Sequence, residues 1–251
     1  MTKKRVIDNS IWKDCFNLFP TNGSKSYVDK YTPKKFQQFI STGELKDTLK
    51  YINKDFSKWK NHYLFYGSPG VGKTSIVRCF IENIPNNEAI RINGNDLGNF
   101  RDRKHLNLMY NFLTDFLTTT TITKPKTKIV WFENFDNVKK IVQEDLANHH
   151  FDLAGNNTKT NIKFLLTLNN IKDVIAPIKS RCKKWCLDFD DEDEIEDIKE
   201  QQEKKMLEIL KKEKVKTSPV LKKSIKKIIK ENYPDFRSCL IELEEKVNMT
   251  R

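Results

Sequence analysis

The sequence lacks any unbroken apolar run near the roughly 18 residues that a membrane-crossing helix needs, which excludes a membrane-spanning protein. No apolar segment follows the charged start Met1-Thr2-Lys3-Lys4-Arg5. A secretory signal is therefore not expected, and the protein is placed inside the cell, in the cytoplasm or nucleus. Cysteine is scarce and odd in number: Cys15, Cys79, Cys182, Cys186 and Cys239. Five scattered thiols in 251 residues exclude a disulfide framework and predict reduced cysteines. Cys182 and Cys186 lack the spacing and the second Cys/His pair of a zinc site, and His149-His150 is isolated. Both cysteines read instead as small apolar residues at the edge of a strand. Internal repeats are absent. Apolar residues make up only 37%, yet 16 Phe and 4 Trp are enough to build a core.

Positive charge is in excess: 46 basic against 34 acidic residues, a net charge of +12 and a pI near 9.3. Thirty-eight of the cations are Lys and eight are Arg. An AT-rich genome also yields a lysine-heavy composition. A basic balance nevertheless suits a polyanionic partner, because phosphate contacts dominate affinity for nucleic acid.

Residues 1–27 show no periodicity and carry the turn formers Pro20, Asn22 and Gly23, so they read as an N-terminal extension. Leu45, Leu49, Ile52, Phe56 and Trp59 recur every three to four residues and predict an amphipathic helix. Short apolar runs then alternate with helix-length segments: Tyr63–Tyr66, Ala89–Ile92, Ile129–Phe132, Phe164–Leu168 and Trp185–Phe189. That alternation predicts an α/β domain over 28–189, with a parallel sheet covered by helices. Beyond it, 190–251 predicts a small all-helical domain with stripes at Met206, Leu207 and Leu210, at Leu221, Ile225 and Ile228, and at Phe236, Leu240 and Leu243. Pro219 and Pro234 fall near helix starts. The acidic 190–203 and lysine-rich 204–230 read as a solvated helix surface.

One motif is specific. Gly67-Ser68-Pro69-Gly70-Val71-Gly72-Lys73-Thr74 fits G-x-x-x-x-G-K-[ST] between a strand and a helical stripe at Ile76, Val77 and Phe80. Its glycines let backbone N–H groups turn inward around a phosphate, with the helix N-terminus adding partial positive charge. Lys73 is expected to reach the β- and γ-phosphates and the Thr74 hydroxyl to ligate Mg²⁺, with Ser75 completing the loop. The chain is thus expected to bind a nucleoside triphosphate.

These features together resemble the AAA+ ATPases, and several segments resemble one branch, the small subunits of replication factor C-type clamp loaders, with a phage-type likeness. Lys30-Tyr31-Thr32-Pro33 resembles a Lys-Tyr-Arg-Pro segment of those subunits, with Thr32 in place of Arg. Asn93-Gly94-Asn95-Asp96 is similar to their Asn-Gly-Ser-Asp run, and Phe164–Asn169 to the sensor-1 strand. Ser180-Arg181-Cys182 matches their Ser-Arg-Cys motif, and Tyr233-Pro234-Asp235-Phe236-Arg237 resembles the sensor-2 helix start. The resemblance implies that Asn169 contacts the γ-phosphate or the attacking water, and that Arg237 closes onto the nucleotide from a lid. It implies that Arg181 serves a neighbouring subunit's nucleotide as a trans arginine finger. Partner subunits, a sliding clamp and primer–template DNA are implied as well. Arg101, Arg103 and Lys104, before the stripe Leu106, Met109, Leu113 and Phe116, correspond to a helix start that tracks DNA. Three cations among its first four charges oppose the helix dipole at about 0.3–1 kcal/mol each.

Two departures stand out. Where the family has Asp-Glu-x-Asp, this chain has Glu133-Asn134-Phe135-Asp136. Glu133 keeps the Mg²⁺-orienting charge on a longer side chain, but Asn134 cannot act as a base, so binding ATP is better supported than hydrolysing it. The chain also stops at Arg251, about where a helical collar would begin, so the collar is expected to be absent. Three readings remain: a working clamp-loading motor subunit, a hydrolysis-deficient subunit that lends Arg181 to a neighbour, and a replication initiator or helicase loader.

Overall fold

The computed structural model of the chain describes residue 18 and the segments 26–56, 59–99, 103–119, 127–156 and 161–249. Most of the expected 1–27 extension lies outside these residues, as does Arg101. The strands are β1 (His62–Tyr66), β2 (Asn87–Asn93), β3 (Thr127–Glu133), β4 (Asn161–Leu168) and β5 (Cys182–Cys186). The helices before β3 are α1 (Tyr27–Lys30), α2 (Gly43–Lys54), α3 (Lys73–Asn83), α4 (Gly94–Asn99) and α5 (Arg103–Thr118). After β3 come α6 (Lys140–Asp145), a π-helical turn (Leu146–Phe151), α7 (Asp152–Asn156), α8 (Ala176–Arg181), α9 (Glu192–Lys212), α10 (Pro219–Asn232) and α11 (Phe236–Met249). The chain divides into two compact units. One comprises Met1–Pro20, Asn61–Phe65 and Ile84–Lys184; the other comprises Thr21–Lys60, Tyr66–Asn83 and Trp185–Arg251.

The first unit is built on the sheet, in strand order β2-β3-β4-β1-β5. β2 and β4 each pair parallel with β3, with Arg91 opposite Trp131 and Phe132 opposite Leu166. All but the last residue of β3 and all but the first of β4 are buried, which explains their nearly continuous apolar sequences. Phe151 stacks on Phe164 at 4.2 Å between ring centroids. His62 Nδ1 accepts the Phe164 N–H at 3.1 Å, and burial lowers the ring's pKa to about 4, so the imidazole stays neutral. Even Lys128 is buried, its ammonium donating to the carbonyls of Phe116 and Thr119.

The second unit holds a helical core of Met206, Ile209, Leu210, Ile225, Ile228, Ile229, Cys239, Leu240, Leu243 and Val247, with Tyr27 against it. Met206, Leu210, Ile225, Ile228, Leu240 and Leu243 belong to the three predicted stripes, now on α9, α10 and α11, while the predicted Leu207, Leu221 and Phe236 pack partly buried against this core. Pro219 opens α10, where its missing N–H costs nothing. The acidic part of the run lies mostly on α9, and the lysine-rich part runs from the end of α9 through the connection into α10. Asp191 caps the N-terminus of α9 by accepting from the Asp193 and Glu194 N–H groups (3.1 Å each), and Lys211 and Lys212 close its last turn. Both ends therefore complement the helix dipole.

β2, β3 and β4 begin two or three residues before the predicted apolar runs, and two further elements end elsewhere than the sequence predicts. The helix predicted through Trp59 ends at Lys54, because Asp55 turns extended (φ −156°, ψ 102°). Phe56 and Trp59 reach the same core through a turn, Trp59 packing on Phe80 at 4.8 Å, so helical spacing outlasts the helix. The fifth strand is Cys182–Cys186 instead of Trp185–Phe189. It lies at the sheet edge, where only Cys182 and Trp185 are buried and Lys183 and Lys184 are tolerated, so no apolar run marks it. Cys186 is exposed, unlike the apolar position expected for it.

Candidate functional site

In the second unit the segment Gly67–Gly72 joins the end of β1 to the start of α3. Three glycines hold left-handed backbone there: Gly67 (φ 145°), Gly70 (φ 79°) and Gly72 (φ 103°). A side chain is strained at such angles, and this is the physical need behind the motif. The Gly72 carbonyl accepts the Ile76 N–H at 2.9 Å, so the loop feeds straight into α3. Lys73 Nζ donates to the Gly67 and Ser68 carbonyls, 2.7 Å each, which places the ammonium against the loop.

Two carboxylates to which the sequence alone assigns no role meet this loop. Asp188 accepts the Ser68 N–H through both oxygens (3.0 and 2.8 Å) and the Ser68 hydroxyl at 3.2 Å. Asp235 caps α11 by accepting the Ser238 N–H at 3.0 Å, and its carboxylate lies where a Cβ on Gly70 would stand, 1.7 Å from Oδ1. Gly70 is thus required twice, by backbone angle and by close approach. Arg237, in the first turn of α11, is exposed.

The first unit gathers the other residues at the strand ends. Arg91 on β2 donates from Nε (2.8 Å) and from Nη2 to Oε2 of Glu133, and stacks over Trp131 at 5.4 Å. Oε1 of Glu133 makes none of these bonds. Asn134 is left-handed (φ 52°, ψ 47°), a conformation that Asn tolerates better than most residues, and its Nδ2 donates to Asn93 Oδ1 at 3.4 Å. Asp136 Oδ2 accepts the N–H groups of Asn169 (2.9 Å) and Asn170 (3.3 Å). It therefore ties the end of the sensor-1-like strand to the turn after β3. Gln143, fully buried, spans the same region. It donates to the carbonyls of Val138 (2.9 Å) and Asp173 (3.0 Å) and accepts the Ile175 N–H (3.0 Å). Neither Asp136 nor Gln143 is among the sequence-predicted site residues, although Asp136 stands at the last acidic position of the motif.

Arg181, at the end of α8, donates from Nη2 (3.0 Å) and Nε (3.3 Å) to Asp152 Oδ1 and from Nη1 to the Pro177 carbonyl (3.0 Å). It is not among the groups bonded to Glu133 or Asp136. Arg103 and Lys104 start α5, as the sequence predicts; Arg101 falls outside the described residues.

Gly94 sets a stability expectation. A Cβ there would stand 2.1 Å from the Asn134 carbonyl oxygen and 2.9 Å from its carbon, and backbone has little room to yield. Gly94→Ala is expected to destabilise the protein by about 1–3 kcal/mol, as overpacking does. Urea unfolding measures this, and an unchanged midpoint would contradict the close approach.

Residues 63–187 match the family described as "ATPase family associated with various cellular activities (AAA)". Among curated relatives, replication factor C small subunit 1 of Pyrobaculum islandicum is 30% identical over 158 residues, covering 62% of this chain and 45% of that protein. The sliding-clamp-loader large subunit of Escherichia phage RB69 is 27% identical over 234 residues, covering 90% of this chain and 66% of that protein. The chain thus spans about half the length of the replication factor C relative and two thirds of the phage one. Among solved structures, a point variant of Thermotoga maritima RuvB superposes with a TM-score of 0.60 at 16% identity, covering 85% of this chain and 64% of that one, a likeness of fold. With the parallel sheet, the glycine loop and the helical C-terminus in place, the chain carries, over residues 63–187, an ATPase domain of the AAA family.

Proposed function

We propose that the chain is an ATP-binding subunit of a DNA sliding-clamp loader, acting with partner subunits to place a clamp on primer–template DNA during replication. The observation that carries the nucleotide reading is the loop Gly67–Gly72, with its three left-handed glycines leading into α3 at Lys73. Lys73 carries the charge for the β- and γ-phosphates, and residues 67–75 supply the backbone cradle. The Thr74 hydroxyl and Oε1 of Glu133 are the hard oxygen donors suited to Mg²⁺, which when bound neutralises phosphate charge. Asn169, Arg237 and, across a subunit boundary, Arg181 complete the set. The pairing of Arg181 with Asp152 orders the guanidinium before a neighbour arrives. The clamp-loader reading rests on the relatives, replication factor C small subunits and phage clamp-loader subunits.

A second reading, ATP held as a structural ligand without turnover, is favoured by one observation: the base position is an amide, Asn134, in a backbone conformation that suits Asn. The steady-state ATPase rate, with and without primed DNA, separates the two. DNA-stimulated turnover supports the motor; nucleotide binding without turnover supports the structural subunit.

DNA binding is assigned to Arg101, Arg103 and Lys104. Replacing all three by Ala is expected to weaken binding about equally across DNA sequences, because phosphate contacts carry no base information. The slope of log affinity against log salt should flatten by up to roughly 0.9 for each phosphate no longer neutralised on duplex. An unchanged slope and affinity would move the DNA surface elsewhere.

A further inference from the structure

The chain's basicity is not spread evenly. Residues 204–230 hold eleven lysines against two glutamates, directly after residues 190–203 with nine carboxylates against one lysine. Charges of opposite sign are thus segregated along this part of the chain instead of mixed. The segment has no arginine and no aromatic residue.

The fold turns this segment into a charged face. α10 buries Ile225, Ile228 and Ile229 in the helical core. Lys222, Lys223, Lys226, Lys227 and Lys230 are all exposed. Their spacing sets three like-charge pairs one turn apart (222/226, 223/227, 226/230), an arrangement that weakens a helix unless a counter-charge is supplied. Within the protein that counter-charge is thin. Lys226 lies 3.8 Å from Glu203 and Lys227 3.6 Å from Glu231, with the lysine side chains 70% and 69% exposed. Such pairs are long and screened by solvent. Lys222, Lys223 and Lys230 have no carboxylate within 4.0 Å among the described residues. The end of α9 and the connection after it add exposed Lys211, Lys212, Lys214 and Lys216. Lys214 sits there at φ 57°, the position after a helix end where glycine is favoured. Glu213 beside it is already engaged by Lys30 and Tyr31.

We propose that this lysine face of α10 and the α9–α10 connection is a binding surface for the phosphate backbone of duplex nucleic acid. It is additional to the Arg101, Arg103 and Lys104 segment and independent of bound nucleotide. From Lys222 to Lys230 the row runs about 12 Å along the helix, at 1.5 Å per residue. Duplex DNA presents about one phosphate charge per 1.7 Å of its axis over both strands, so a length of about 12 Å carries about seven charges, part of which face the row. An acidic protein surface rarely offers that density, because its own carboxylates repel one another. Lysine point charges without arginine forks or stacking rings attract phosphate without reading bases.

The test uses the full chain and a fluorescently labelled duplex of mixed sequence, titrated by anisotropy at several salt concentrations without nucleotide. The fivefold variant Lys222→Gln, Lys223→Gln, Lys226→Gln, Lys227→Gln, Lys230→Gln is expected to bind at least about tenfold more weakly at low salt, with a slope flattened by up to roughly 0.9 for each phosphate no longer neutralised. Its thermal unfolding should be unchanged or raised, since repulsion is removed. The matching Lys→Arg variant should bind at least as tightly as the parent, which separates charge from folding. Equal affinity and slope for the parent and the Gln variant would overturn the proposal. So would tighter binding of poly-glutamate than of duplex, which would mark a surface for acidic protein. Running the Arg101, Arg103, Lys104 triple-Ala variant alongside keeps the two DNA assignments apart. Loss only in the Gln variant sinks the α5 assignment and keeps this one; loss only in the triple-Ala variant does the reverse.

Discussion

Lys73→Ala is expected to weaken binding of a fluorescent ATP analogue at least about tenfold, because it deletes the point charge facing the β- and γ-phosphates. The structure adds a second consequence. The Lys73 ammonium also bonds the Gly67 and Ser68 carbonyls at 2.7 Å, so its removal frees the start of the loop on one side. On the other side Asp188 still holds the Ser68 N–H and hydroxyl. The loop thus keeps its three bonds to Asp188 when the two from Lys73 are lost, and the unfolding midpoint without nucleotide should fall by much less than the midpoint with saturating nucleotide. Equal affinities for the parent and Lys73→Ala would remove the basis of the nucleotide reading.

The second large effect concerns turnover. Asn134→Glu combined with Glu133→Asp is expected to raise the ATPase rate of the assembled complex, since a positioned base contributes roughly 10²–10⁴-fold. The backbone sets a cost. Asn134 is left-handed, and a residue without Asn's local hydrogen bonding pays roughly 1–2 kcal/mol to adopt that conformation. The gain in rate should therefore accompany a measurable loss of stability, seen as a lower unfolding midpoint. Arg91 bears on the same experiment, because its guanidinium grips Oε2 of Glu133, and the side chain shortened by Glu133→Asp releases it. Arg91→Gln in the double-variant background separates that release from the effect of the new base. Turnover that stays at the parent's level would show that the amide at Asn134 is not what limits hydrolysis.

Much of the fold is readable along the chain because neighbouring residues decide it. β3 and β4 are buried along nearly their whole length, so their apolar runs stand out. The edge strand β5 is buried at only two positions, so its apolar signal starts three residues late, at Trp185. The helix at Leu45 looks longer in sequence than it is, because Phe56 and Trp59 continue its spacing through a turn onto the same core. Period reports which side chains reach the core, not whether the backbone stays helical between them.

The sequence alone determined the glycine loop, the strand before it and the helix after it. Each depends on local requirements: left-handed angles at Gly67, Gly70 and Gly72, and a lysine where the helix begins. It also determined the substitution at Glu133-Asn134, which is a matter of side-chain chemistry. Only the tertiary structure decided which charges meet. Arg91 and Glu133 lie 42 residues apart, Asp152 and Arg181 lie 29 apart, and Ser68 and Asp188 lie 120 apart, and no periodicity links the members of any pair. Their pairing follows from strand register, from the turn of α8 beside α7, and from the return of the chain after β5 to the start of the loop. Those are products of packing many side chains at once, and a carboxylate in a sequence carries no mark of the cation or N–H that packing brings to it.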